Sequence, residues 1–494
     1  MSEKVVIERE LVRPLIETGK RYYITVGILA VIVLWGVVAY LYQLSNGLGV
    51  TGMNTTIFWG VYLATFIFFI GISHAGTFIS AILRVTHAEW RRPITRLSET
   101  ITIFALILAV MQVILFDLGR PDRILHAILY ARLQSPLTWD LFSIISYFTA
   151  SALYLYVAMI PDLGILLAHG KPGRIRRALY TILSLDWKGT KEQYKILENA
   201  IKIMAALVIP VMVTVHTVVS WALAMLVRPA WHSTVFGPYF VTGAIYSGIA
   251  AVITLAWIFE KVYKTGHIKV EHFRNLGYLL FALNLALIYM TVNHILVDYY
   301  GGEKAHITLL NALMFGEWAP IFWTYMFVDI IIPLIILAIV LFYKKEWLIN
   351  GTFIVSLIVN IGMYLERYVL VAPTLSRPYL PYPFAIYIPT WVELSILAAS
   401  IAAFLLLYMI FIKIFPPIPI WEVKKLDENL ELLRKYSTVS TPAMTTRLNG
   451  GSKGRIRSRP SPLPRLLLMA IGAVYTYLLY VIIRFIVIPV YTPE

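Results

Sequence analysis

Apolar residues along this chain come in long unbroken runs, not in one-sided helical stripes or alternating strands. Eleven runs are long enough to cross a bilayer, which takes about 20 residues per helix. They lie at about 22–44, 56–84, 97–118, 140–167, 196–227, 237–263, 273–300, 318–343, 347–371, 390–415 and 464–490. Several exceed the needed length, so tilt or extension beyond the bilayer is expected. The fourth to eleventh carry Pro, Gly or polar residues whose backbone groups neighbouring helices must satisfy. The pattern predicts an all-α integral membrane protein of about eleven transmembrane helices. Loop lengths are compatible with two four-helix bundles, spans 2–5 and 6–9, plus peripheral helices.

The expected division is an N-terminal segment and first span (1–55), a first bundle (56–230), a second bundle (231–371), an outer loop with the tenth span (372–415), a basic linker (416–463) and an appended last span (464–494). The linker opens on PPIPIWEVKK and ends on NGGSKGRIRSRPSP, a composition that reads as flexible. The first residues, MSEKVVIERELVRP, lack the apolar core of a signal peptide, so the first run is expected to stay as a span.

Composition supports a bilayer protein. Of the 494 residues, 59% are hydrophobic and 14% charged, against about 25% charged in soluble proteins. The net charge of +15 raises nucleic acid as a partner, but its placement argues against that. With the N-terminus in the cytoplasm and the spans alternating, 34 of the 42 Lys and Arg fall on the cytoplasmic side. That is the positive-inside signature of a multi-pass protein of the cell membrane. Eleven spans then put the C-terminus outside. The outer loops are short apart from 119–139 and 372–389, leaving a weakly charged face on which a partner can sit. The chain has no cysteine, which removes thiolate ligands for iron–sulfur clusters and attachment sites for c-type haem.

Against this background the ionisable residues inside spans stand out, because burying them is costly. The second span contains GISHAGTFISAILR. His74, Thr77, Ala81 and Arg84 share one helical stripe, and Ser73, Gly76 and Ser80 the next. Small residues four apart let another helix approach closely, so this face packs on protein. His74 then serves either as a hydrogen-bonded packing residue or as the lining of a ligand or proton path. WRRP (Trp90–Pro93) suits the membrane interface, and Glu99 is spaced to pair with Arg96; Glu99 can also admit protons.

At the outer end of the third span, FDLGRPDR brings Asp117, Arg120, Asp122 and Arg123 together. SPLTWD sets Trp139 and Asp140 at the same level. A solvated interface cluster is one reading, and a headgroup site for an amphipathic ligand the other. A quinol needs a base for its hydroxyls, apolar walls and a proton route; Asp140, with His74 deeper, meets the polar part. A second set comprises His216, Asn293, His294, Asp298, Asp329, Asn360, Glu366, Arg367 and Glu393. Glu366 and Arg367 are adjacent in sequence and do not share a helix face, so their partners are expected on other helices. The set forms either a proton relay or polar glue between helices. The intramembrane histidines, His74, His216 and His294, allow one bis-histidine haem and not two. Internal repetition is faint: HAGTFIS at 74–80 and HTVVS at 216–220.

Taken together, these motifs resemble the NrfD/polysulfide-reductase membrane-subunit family. The likeness runs from about residue 20 to 415 and rests on GISHAGTFISAILRVTHAEWRRPITRLSETITIFA, LGRP, SPLTWDLFSIISYF, RPAWHSTVFGPYFVTGAIYSG, VNIGMYLERYVL and PTWVE, in that order. It is nearest to the ten-span branch that forms the quinol-site subunit of bacterial alternative complex III; the last span departs from that pattern. The resemblance implies a chain without its own haem or iron–sulfur cluster, which binds a quinone or quinol in the first bundle near the outer face. Electrons are exchanged with an iron–sulfur subunit docked outside, often with a molybdopterin or cytochrome subunit beyond it. Proton half-channels are proposed for some members.

Carried onto this chain, His74 matches the HAGT motif, Arg120 the GRP motif, Asp140 the WD motif and Glu99 the acidic residue after WRRPITR. The expected quinone site is His74, Thr77, Asp117, Arg120, Trp139 and Asp140, with His74 and Asp140 handling protons. The expected proton pathway is Glu99, His216, Asp329, Glu366 and Glu393. The ligand is a menaquinone-like or other quinone, no metal site is expected, and the surroundings are membrane lipids. Two rivals remain, a b-haem membrane anchor and an ion transporter without a redox role.

Overall fold

The computed structural model describes residues 11–169, 172–226, 228–379 and 383–424. Ten helices in it are long and apolar enough to span a bilayer: α1 Lys20–Asn46, α2 Val61–Val85, α3 Glu89–Asp117, α4 Pro136–Ala168, α5 Lys191–Ala224, α6 Phe236–Tyr263, α7 Val270–Gly301, α8 Ala319–Tyr343, α9 Lys345–Leu375 and α10 Trp391–Ile414. Among the described residues all regular structure is helical, so this is an all-α integral membrane protein. The ten fall where the first ten apolar runs lie. The eleventh run, 464–490, lies outside the described residues.

Two helices begin earlier than their apolar runs, for local reasons. α5 runs back through charged residues to a capping box, in which the Thr190 hydroxyl accepts from the Gln193 amide at 3.2 Å and the Gln193 side chain accepts from the Thr190 amide at 3.2 Å. In α3, Pro93 sits in the first helical turn after Arg91, where its missing N–H costs nothing.

α2 is the central element, packing on α3, α5, α6 and α9. Small residues let these backbones meet. At Gly248 of α6 a methyl group would stand 2.8–3.0 Å from Ala75. At Gly76 it would collide with Ser98 and Thr102 of α3. The faces read in the sequence as protein-packed, Ser73/Gly76/Ser80 and Gly71/Ala75, are all buried. Thr102 of α3 donates to the Ser73 carbonyl at 2.5 Å, tying α2 to α3. Elsewhere α4 packs on α3 and α5, α6 on α7 and α9, and α8 on α9. α1 lies at the periphery on α10, where Trp35 donates to Ser395 at 3.0 Å. Its other side presents Ile24, Ile28, Val31 and Leu34 outward, as a lipid-facing helix should.

Three spans contain wider, π-type turns: Phe78–Ile82 in α2, Gln112–Asp117 in α3, and Met326–Ile331 and Ile339–Tyr343 in α8. Such turns recur at functional positions. Those at 78–82 and 112–117 follow His74 and end on Asp117.

The segment after α10 does not leave the helices at once. Residues 416–423 are buried across the end of the molecule that carries the 86–88 turn, hereafter the basic end. Trp421 donates its amide to Asp162 Oδ1 (2.9 Å) and its indole N–H to the Ala158 carbonyl (3.0 Å), both on α4. Glu422 pairs with Arg84 and with Arg91 (3.0 Å), and its carbonyl accepts from Arg92 at 2.8 Å. Thus the opening of the stretch expected to be a linker closes the basic end as a strap. Its apolar residues Ile418, Ile420, Trp421 and Val423 explain why. The rest of that stretch lies outside the described residues.

Candidate functional site

His74 sits in the middle of α2, fully buried, one turn before the π-type segment. Its ring meets that of His216 on α5 edge-on, with centroids 4.3 Å apart, and Tyr147 of α4 at 5.4 Å. Tyr147 Oη hydrogen-bonds with Thr77 Oγ1 at 2.7 Å and donates to the Ser73 carbonyl at 3.0 Å. Side chains from α2, α4 and α5, with Thr102 of α3 at the same Ser73 carbonyl, therefore form one polar knot in an apolar interior. It exists because Gly76 lets α3 close on α2, and because His74 and Thr77 are three apart on one face.

Both ring nitrogens of His74 face main-chain carbonyls: Nδ1 at 2.9 Å from Ile70 O, Nε2 at 3.0 Å from Met212 O. A neutral imidazole has one N–H and an imidazolium two. The surroundings of His74 therefore offer acceptors to a second proton. In the adjoining His216 neither ring nitrogen has a hydrogen-bond partner among the described residues. His74, Thr77 and His216 are thus brought together. Tyr147 joins them, a residue that nothing in the sequence marks, and so does the main chain of Ser73.

Asp140 lies seven residues before Tyr147 on α4, on the same stripe and roughly 10 Å nearer the end opposite the basic one. Its Oδ1 is shut off from solvent without a hydrogen-bond partner among the described residues. The same holds for Oδ1 of Asp117, which has Trp59 and Glu393 as its polar neighbours. Trp139, half-buried, donates its indole N–H to the Leu133 carbonyl at 2.5 Å. Arg120 stands apart from this group: it is 61% exposed and its guanidinium forks onto Asp122 at 3.0 and 2.9 Å.

The proton-pathway candidates other than His216 fall into three places. Glu99, buried in α3, accepts from Ser80 Oγ at 2.5 Å and lies 3.8 Å from Arg96. Ser80 Oγ also lies 3.0 Å from the Tyr154 hydroxyl, which donates to it once the Ser80 proton is on Glu99, and Arg84 donates to Tyr154 (3.2 Å) on its way to Glu422. Arg96 itself binds Asp162 at 2.9 Å. The spacing-based pairing of Arg96 with Glu99 is present, but the tighter partner is Asp162. This acid sits in the middle of an apolar run, directly after Pro161, and that position was its legible signal. Glu393 is at the opposite end. It accepts from the amides of Gly52 (2.7 Å) and Thr390 (2.9 Å) and pairs with Tyr387. These contacts make it a helix cap that clamps two loops. Burial and the Glu393 carboxylate together push the Tyr387 phenol well above its ordinary pKa.

Asp329 and Glu366 lie elsewhere again. Asp329 is buried in the π-type turn of α8, against Gly362 of α9. Its carbonyl accepts from Tyr246 Oη at 3.0 Å, and Asn284 donates to that Tyr246 hydroxyl at 2.8 Å. Its Oδ1 has no hydrogen-bond partner among the described residues. Glu366 accepts from Tyr239 Oη of α6 at 2.7 Å. Contrary to the expectation from helix faces, Glu366 and Arg367 do meet each other, with Nη1 to Oε2 at 2.9 Å, although their Cβ atoms diverge around the helix. Long side chains can fold back across that angle, and burial leaves each charge little else to face. Arg367 also lies over the Phe240 ring at 4.8 Å, so partners on another helix are present as well.

The arrangement gathers acceptor, hydroxyl and imidazole groups within an apolar interior. Along the α4 stripe stand the unfilled Asp140 oxygen and then the Tyr147 phenol, against which His74 of α2 lies, with His216 of α5 beside it. An unfilled acceptor of this kind can take a hydrogen bond from a donor.

Sequence comparison relates this chain to known proteins. Residues 49–378 match the polysulphide reductase NrfD family. A selenate reductase subunit from Mesobacillus selenatarsenatis is 24% identical over 368 residues, covering 73% of this chain and 83% of that one. An Hdr-like menaquinol oxidoreductase integral membrane subunit of Archaeoglobus fulgidus is 23% identical over 426 residues, 83% of this chain and 96% of that one. A candidate dimethyl sulfoxide reductase membrane subunit from Halobacterium salinarum is 27% identical over 236 residues; there the match spans 48% of this chain and only 51% of the relative. With the family match covering most of its length and its helices carrying the matched motifs inward, the chain belongs to the polysulphide reductase NrfD family.

Proposed function

We propose that this chain is the quinone- or quinol-interacting membrane subunit of a respiratory oxidoreductase complex. It exchanges electrons with an iron–sulfur subunit docked at the end opposite the basic one, with a molybdopterin or cytochrome subunit beyond. Family membership supports the role, as do relatives named as subunits of a menaquinol oxidoreductase and of selenate and dimethyl sulfoxide reductases. The observation that carries the ligand class is the unfilled acceptor on Asp140 on the same stripe as the His74–Tyr147–His216 knot. The partner surface is supported by two loops at that end. Leu125, Leu129 and Tyr130 are 61%, 71% and 73% exposed, and Phe384 and Ile388 are 63% and 74% exposed. Apolar side chains exposed together outside the bilayer suit a protein interface.

A quinol gives up two electrons and two protons, and a quinone takes them up. In this reading the first bundle, 56–230, is the ligand-bearing domain and 231–371 the second. Asp140 Oδ1 accepts a ligand hydroxyl. His74 holds a proton between the Ile70 and Met212 carbonyls, and Tyr147 with Thr77 orients the imidazole. Trp139 and Asp117 border the entrance, while Arg120 acts at the surface through Asp122. The basic end faces the cytoplasm, an orientation that the charge distribution supports, and the Glu99–Ser80–Tyr154 chain is its proton approach. Asp329 and Glu366 extend proton conduction into the second half.

The haem-anchor rival uses the same two histidines. Their rings touch edge-on at 4.3 Å, so the two would have to part, and His74 would have to give up a contact to the Ile70 or Met212 carbonyl, to hold an iron between them.

The test uses the complex purified in mild detergent. A short-chain naphthoquinol added under anaerobic conditions should bleach the absorbance of the partner's redox centres within the turnover time. A correctly assembled complex whose centres stay oxidised with quinol, and stay reduced with the matching quinone, would refute the proposal.

A further inference from the structure

A partly open cavity lies in the other half of the molecule, between α6, α7, α8, α9 and the short helix Lys304–Met314. Its walls are mainly apolar, with rings from Phe236, Tyr239, Phe322 and Tyr325. One of the polar groups lining it is buried and unspent, and a second is a buried carboxylate. Thr291 Oγ1 of α7 has no hydrogen-bond partner among the described residues, with Thr291 5% exposed. The carboxylate is Glu366, 4% exposed, whose Oε1 accepts from Tyr239 at 2.7 Å and whose Oε2 pairs with Arg367 at 2.9 Å. His294, also on α7, completes the polar edge.

An apolar cavity of this kind does not favour a chain of water. Four aromatic walls, with an orphaned hydroxyl and a carboxylate edge on different helices, ask instead for a flat ring with polar groups on its rim. α7, largely outward-facing, gives such a molecule a route from the bilayer.

We propose that this cavity is a second binding site, for a lipophilic aromatic molecule with hydroxyl or carbonyl groups on its ring, the quinone class. It is separate from the His74–Asp140 region and stands without it. Thr291 and Glu366 address the rim of the ring, and the tail leaves past α7.

The test measures binding stoichiometry of 2,3-dimethyl-1,4-naphthoquinone on the whole complex by equilibrium dialysis. Wild type should bind two per chain. Leu313→Trp, which fills the cavity, should leave one. Thr291→Val, nearly isosteric, should weaken one of the two sites by about tenfold, the worth of one hydrogen bond. Asp140→Asn should weaken the other site and leave the Leu313-sensitive one intact. Should Leu313→Trp fail to assemble, Thr291→Val carries the test alone. The proposal is overturned by a stoichiometry that neither Leu313→Trp nor Thr291→Val alters. It is also overturned if the cavity yields a phospholipid on extraction that Leu313→Trp removes. Loss of the Asp140-sensitive site alone would count against the function proposed above and leave this one standing.

Discussion

Asp140→Asn should lower quinol-driven electron transfer by about 10²-fold or more, the usual worth of a positioned proton acceptor, while the complex assembles normally. The substitution changes little in volume. It replaces an unfilled acceptor by an amide that cannot take a proton at any working pH. Because the Asp140 Oδ1 atom has no hydrogen-bond partner among the described residues, its loss leaves no partner stranded, and folding should be spared. Steady-state assay of the whole complex with a naphthoquinol checks this: the turnover number should fall, with a smaller change in KM. Unchanged turnover in an assembled complex would remove Asp140 from the mechanism.

The largest stability effect is expected at the strap. Glu422→Gln should destabilise the basic end by about 3–5 kcal/mol, the cost of breaking a buried ion pair from one side. Arg84 and Arg91, 12% and 5% exposed, would keep their charges with no carboxylate to face. Burial alone would raise the Glu422 carboxyl, but Arg84 and Arg91 outweigh it and hold its pKa at about 2. A carboxylate whose pKa is depressed on folding contributes stability that is fully present above its unfolded value, about 4.3, and is lost as pH falls through the folded one. The gap in melting temperature between wild type and Glu422→Gln should therefore be constant from pH 8 to about 5 and shrink below about 4. A gap absent at pH 7 would mean that the strap does not depend on this pair.

Much of this fold is legible in the sequence because lipid imposes a simple rule. A span must be helical, apolar and about 20 residues long, so runs such as 237–263 announce Phe236–Tyr263 directly. The helix faces are legible where small residues and histidine recur at helical spacing, as from Gly71 to Ser80. The polar partners across helices are not, since pairing between distant segments leaves no local trace. Tyr147, seven residues beyond Asp140, looks like any aromatic in an apolar run until His74 is beside it. The strap is hidden for a compositional reason. PPIPIWEVKK reads as an extended linker, and only the three arginines at the ends of α2 and α3 explain why its glutamate goes inside. Glu366 and Arg367 show the limit of face arguments, because long side chains can meet across a helix surface.

The central claim is that a quinone sits in the first half of the molecule, against α2 and α4. A photoreactive azido-naphthoquinone, bound to the whole complex and cross-linked by light, tests it most directly. Peptide mapping should find the label between residues 136 and 147 and between 61 and 80, diminished by Asp140→Asn and by excess unlabelled quinone. A label that leaves both segments untouched while saturating elsewhere would contradict the account.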